Sequence, residues 1–274
     1  MTLSSEHLRL KPLPDTPVDE APPPYEAKPS HSPAPGSSQP PPPRSDQPAQ
    51  SQMARQFPAT FNVYSQSFSR TLLLGEHRHA PFYAMSTHSG FSSSPPIVLH
   101  SGPVNTFPPL ASVEYHTFSH RMSITLPPAP KGSPGGGPVI ELQSRTSFPS
   151  STYSFTMGVG PKCERLEEFE WRTSSGEAIA ILDGRHRGWK LVRLSHAAQR
   201  SAGRDVITGS DGREVVAAWT GAQMSMSKAA KFGFLGSGQT GELGERWAIM
   251  AAMSGLAIFE RERQRRRNNS GSVG

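Results

Sequence analysis

Three glycines in the stretch FLGSGQTGELGE, Gly236, Gly238 and Gly241, stand in a G-x-G-x-x-G spacing. Between a strand and a helix, that spacing cradles a pyrophosphate. The glycines let the backbone turn sharply and approach the phosphates, and the helix N-terminus faces them. A strand (KFGFL) and a helix are both readable here. Two other requirements fail. The residues after the helix, RERQRRRNNSGSVG, do not read as a second parallel strand. Glu242 and Glu245 also put negative charge where the phosphate would sit. The expected role is a tight strand-to-helix turn, with no nucleotide cofactor.

A second set of side chains is basic: Arg185, Arg187, Lys190, Arg193, Arg213, Lys228 and Lys231. On one rim of a fold, several of these would form a patch for anionic phospholipid head groups, phosphoinositides included. Spread out, they are an ordinary solvated surface. The later run RERQRRRNN reads as a nuclear-import signal or a nucleic-acid arm, or simply as positive charge at a helix C-terminus, where the dipole favours it. Nucleic acid is the least favoured of these partners.

A third motif is Pro22-Pro23-Pro24-Tyr25, a PPxY sequence of the kind WW domains bind. Polyproline II is already extended, so docking it in an aromatic groove costs little entropy. Tyr25, the only aromatic residue before Phe57, supplies the anchoring ring. The motif's resemblance to known PPxY ligands implies ubiquitin ligases with WW domains as partners. PPPPR, Pro40 to Arg44, is a weaker SH3-type match.

Catalytic and metal chemistry find little support. Six of the ten histidines fall between His77 and His120 (His77, His79, His88, His100, His116 and His120), but no cysteine or carboxylate set completes a metal site. There is no G-x-S-x-G elbow, so no hydrolase signature. No metal, no cofactor and no enzyme activity are expected.

These residues must be positioned by something, and composition divides the chain. Residues 1–52 hold 14 of the 28 prolines and carry a net charge of −2. They have almost nothing to bury, so a disordered arm is expected there. The remaining residues carry +8 and are numerous enough for one sizeable core. Cys163 is the single cysteine, which rules out an intrachain disulfide. The opening MTLSSEHLRLKPLPDTP lacks the apolar core of a signal peptide. An intracellular, cytoplasmic protein is expected, with peripheral membrane or nuclear placement as variants.

From Phe57 to Leu235 the sequence reads as about twelve short strands separated by turn clusters such as HSGP, LDGRHRG and SDG. In LEEFEWR, Phe169 and Trp171 share one face, and Glu168 and Glu170 share the other. In GWKLVRL, Trp189, Leu191 and Arg193 share a face. The run Trp247 to Phe259 is apolar on nearly every side. As a helix it spans about 20 Å, short of the roughly 30 Å of a bilayer core, so no transmembrane segment is expected. A helix apolar all round is buried all round. The expected fold is mainly β: a closed antiparallel barrel over 53–264 around a buried helix at about 243–263, followed by a basic disordered tail over 265–274.

The segments LLLGEHRHAPFYAMSTHSG, IVLHSGP, FEWRTSSG, GWKLVRLS, DGREVVAAW and FLGSGQTGELGERWAIMAAMSGLAIFERER resemble a large group of fungal proteins in the tubby C-terminal-like, or LURP-one-related, superfamily. The resemblance covers roughly residues 57–265. It implies a twelve-stranded barrel holding a hydrophobic C-terminal helix, and it transfers no individual ligand residue. The reading it leaves is a non-catalytic binding or adaptor module with a PPxY arm. A peripheral phospholipid-binding protein is the alternative, and an enzyme with an unrecognised site is the second alternative.

Overall fold

The structure is a computed structural model. The structure describes residues 57–66, 69–88, 92–116, 119, 121–127, 139–147, 150–195 and 206–271. All of them belong to one compact unit, Ala49–Gly274. The motif Pro22–Tyr25 and the proposed arm lie outside the described residues.

Twelve strands form: β1 (Thr60–Ser65), β2 (Thr71–Gly75), β3 (Tyr83–Thr87), β4 (Ile97–His100), β5 (Pro109–Tyr115), β6 (Arg121–Thr125), β7 (Val139–Ser147), β8 (Ser150–Val159), β9 (Arg165–Ser174), β10 (Gly188–Arg193), β11 (Val215–Gly221) and β12 (Lys228–Phe234). Short helices α1 (Glu177–Ala180) and α2 (Gly236–Thr240) precede the long α3 (Glu245–Gly271). Each strand pairs antiparallel with its neighbours, and β1 meets both β2 and β12, so the sheet is a closed barrel. Closure leaves no long exposed strand edge.

Alternation selects what faces inward. Along β9, Phe169 and Trp171 are buried while Glu168 is exposed. The same period puts Leu166 outside, 72% exposed, and turns Glu167 inward. Along β10, Trp189, Leu191 and Arg193 are all buried.

Helix α3 fills the barrel. Met250, Ala251, Ala252, Met253, Ala257 and Ile258 have no exposed surface. Wall residues touch the helix from several sides. Trp171 Nε1 donates to Ser254 Oγ at 2.9 Å. The rings of Phe169 and Trp247 lie 5.6 Å apart, and those of Trp219 and Phe259 5.7 Å apart. At Gly255 the rings of Phe232, Trp171 and Trp219 come so close that a Cβ would stand 2.9–3.3 Å from them. Strands β5, β6 and β8 pack on the helix as well. No helix among the described residues is long and apolar enough to cross a membrane.

The helix runs further than the sequence suggests. The expected end near residue 263 and disordered tail from 265 are replaced by continuous helix to Gly271. The reason is local. Arg, Glu and Gln are good helix formers, and the pairs Arg263–Glu260 (3.2 Å) and Arg266–Glu262 (3.4 Å) sit at helical spacing. Trp189 Nε1 also donates to Glu262 Oε1 at 2.7 Å, which ties the emerging helix to the barrel rim.

Candidate functional site

The glycine turn is occupied by the protein itself. Gly236 and Gly241 take positive φ values, +47° and +84°, which suit glycine. Gly238 is pressed against the Val216 carbonyl and the Trp247 ring, so its missing side chain permits close packing. Where a phosphate would bind, the carboxylate of Glu214 accepts the Ser237 backbone N–H at 2.6 Å and the Ser237 hydroxyl at 3.0 Å. The dinucleotide spacing here builds an internal anion site filled by a glutamate.

That glutamate belongs to a buried ionic cluster centred on Arg193. The guanidinium grips Glu167 at both ends: Nε to Oε2 at 2.5 Å and Nη2 to Oε1 at 2.7 Å. Its Nη1 also reaches Ser237 Oγ (3.2 Å), Glu242 (3.4 Å) and Glu214 (3.5 Å). Arg193 is 2% exposed, Glu214 5% and Glu167 6%. Burial alone would raise the Glu167 pKa. The hydrogen bond and charge of Arg193, with help from Ser195 and Arg165, outweigh it and hold the carboxyl below its ordinary 4.5. For Arg193, burial opposes the charged form, but the Glu167 hydrogen bond and the surrounding carboxylates more than restore it. Arg193 is thus a structural cation, and its place in a surface patch is corrected. It points into the barrel with Trp189 and Leu191, with which it shares a face of β10.

Several of the other basic candidates already have acidic partners. Lys231 is tied to Asp183, through the carboxylate at 3.6 Å and the carbonyl at 3.3 Å. Arg213 faces Asp211 at 3.6 Å. Arg172 also holds Asp211, at 2.6 Å. Lys190 lies on the wall close to Gly209. Arg187 precedes β10 and Lys228 begins β12, and of the basic candidates Arg185 lines a groove at the end of the barrel where α3 emerges. There, Arg185 meets three arginines from the helical extension. Arg263, Arg266 and Arg267, with Phe259 and Ser270, line a groove of about 450 Å³ beside Arg185. Arg185 Nε is held by the Ala222 carbonyl at 3.3 Å. Among the described residues, no carboxylate lies within ion-pair distance of Arg185 or Arg267.

At the same end, the hairpin between β11 and β12 presents two methionines. Met224 is 99% exposed and Met226 fully so. Met224 also has a φ of +48°, an uncommon conformation for a side-chain-bearing residue. The four arginines and two methionines place positive charge and apolar surface side by side.

No family model, curated protein or solved structure matches the chain.

The histidines are held separately. His77 and His79 stack at 5.6 Å. His100 lies between Ser86 Oγ and the Phe107 carbonyl, each at 2.9 Å. His88 donates to the Pro95 carbonyl at 2.8 Å, and His116 pairs with Ser123 Oγ at 2.6 Å. His120 lies outside the described residues. Among those described, no three His, Cys, Asp or Glu side chains gather to hold a metal.

Proposed function

We propose that the barrel is a non-catalytic binding module that docks on anionic phospholipid surfaces through the end where α3 emerges. The observation that carries this reading is the groove of Arg185, Arg263, Arg266 and Arg267 next to the exposed Met224 and Met226. The arginines would pair with head-group phosphates, and the methionines, soft and unbranched, would enter the apolar boundary. The resemblance to tubby-like barrels agrees with this class of ligand.

Flotation with phosphatidylcholine vesicles carrying phosphoinositides tests the reading. Binding is expected at low salt and should weaken as salt rises, because exposed charges are screened beyond about 8 Å at physiological ionic strength. Each basic residue near such a surface contributes about 1 kcal/mol. Arg185→Gln with Arg267→Gln, the two groove arginines without a carboxylate partner among the described residues, should therefore weaken binding roughly thirtyfold. Met224→Ser with Met226→Ser should remove the part that salt does not screen. Lys231→Gln, whose ammonium is already tied to Asp183, should change little. An absence of flotation at low salt would refute the proposal.

The sequence Pro22–Tyr25 supports an adaptor role beside this one: recruitment of WW-domain proteins, ubiquitin ligases among them, to the surface the barrel occupies. Tyr25→Ala is expected to abolish binding to a WW-domain array and to leave the melting temperature of the barrel unchanged. Equal binding by parent and variant would mark the motif as a chance match.

A further inference from the structure

Within the closed barrel, the ladder between β7 and β8 is shorter than either strand. Strands β7 and β8 pair from Ser147↔Ser150 to Gln143↔Ser154, and there their ladder stops. Beyond that point Val139–Leu142 pairs with β6 and Phe155–Val159 with β9, and the two facing edges carry no mutual ladder. A cavity of about 450 Å³ lies between them, lined by Ile140, Ser154, Thr156, Met157, Glu168 and, from the first turn of α3, Arg246. Two guanidinium nitrogens of Arg246, Nε and Nη2, are buried and have no hydrogen-bond partner, while the residue as a whole is partly exposed and lines the cavity. Among the described residues, no carboxylate lies within ion-pair distance of Arg246, although Glu141 and Glu168 line the same cavity.

A guanidinium whose buried N–H groups are unmatched is costly, and natural proteins keep few such groups. Its planar fork suits a carboxylate or a phosphate accepting two parallel hydrogen bonds. The strand edges beside it offer what an extended peptide backbone pairs with. Glu141 and Glu168 disfavour a ligand with a second negative charge, so a phosphate dianion fits poorly. We propose that the β7–β8 cleft binds the free carboxylate of an extended peptide, with Arg246 gripping the carboxylate and the strand edges taking the amides. The cleft is at the barrel end where α3 begins, away from the groove of Arg263, Arg266 and Arg267, so the proposal stands apart from lipid docking.

The test uses the full chain and two probes that differ by one charge: acetyl-Val-Ala-Val with a free carboxylate, and the same peptide as its C-terminal amide. In ¹⁵N-resolved NMR, the free acid should shift the Arg246 Nε–H signal and the amides of Ile140 and Met157 saturably, in the millimolar range. The amide form should bind at least about tenfold more weakly, the loss expected for one charge-assisted contact. Arg246→Met should lose this preference while melting at or above the parent temperature, since it removes an unpaired charge. If that variant fails to fold, Thr156→Glu provides the second check: it places a carboxylate in the cleft and should abolish binding of the free acid. The proposal is overturned if acid and amide bind equally, if neither binds, if either variant keeps the preference, or if inorganic phosphate shifts the Arg246 signal and the peptide acid does not.

Discussion

Met253→Asp is expected to yield no soluble, folded protein. Met253 lies at the middle of the barrel-filling part of α3, with no exposed surface. Aspartate there would be an unpaired charge in an apolar core, or would have to bind a proton to avoid it. Either way the cost is several kcal/mol. A domain of this size holds about 5–15 kcal/mol of net stability, so most or all of it would be lost. Two controls separate this cause from a general intolerance of the helix. Met253→Leu keeps the volume roughly constant and should cost less than about 1.5 kcal/mol. Arg265→Glu changes charge on the same helix where it is exposed, and should leave soluble yield and near-UV circular dichroism unchanged. A Met253→Asp protein that is soluble and melts like the parent would mean that α3 is not enclosed.

The barrel was legible because its signals are local and repeated. Each of the twelve strands has a segment of β-branched or aromatic residues in the sequence, and turn residues separate most of them. The helix was legible because only an enclosing wall explains a run as apolar as Trp247 to Phe259. The helix's true end was harder to read, because RERQRRRNN looks like a solvated tail by composition. Its helical spacing is nevertheless informative. Positions 263, 266, 267 and 270 fall on one face, and they line the groove that Arg185 completes. The Arg246 cleft had no local signal. VIELQ and TYSFTMG read as ordinary strands, and nothing in them announces that their ladder stops at Gln143 and Ser154. Where two strands part depends on the whole barrel, not on either segment.

Arg193→Met should destabilise the protein by about 3–5 kcal/mol, the range for breaking a buried pair from one side. The loss comes from what is left behind. Glu167 and Glu214 would remain buried, with Arg165, 3.8 Å from Glu167, as the one nearby cation among the described residues. The pH dependence gives the cause a sign. In the parent, the folded pKa of Glu167 is lowered below 4.5, so its contribution is present above the unfolded value and is lost as pH falls through the folded one. In the variant, burial, the largest influence, is opposed only by the weaker pull of Ser195 and Arg165, and the folded pKa is raised. Its penalty is then largest near neutrality and is relieved as pH falls through that raised value. The difference in stability between parent and variant should therefore shrink between pH 7 and pH 4, measured by urea unfolding at each pH. Adding Glu167→Gln and Glu214→Gln to Arg193→Met removes the stranded charges and should recover most of the loss at pH 7. If the gap stays constant with pH, or the added glutamines recover nothing, then Arg193 acts through packing, and the cluster's charges do not account for its role.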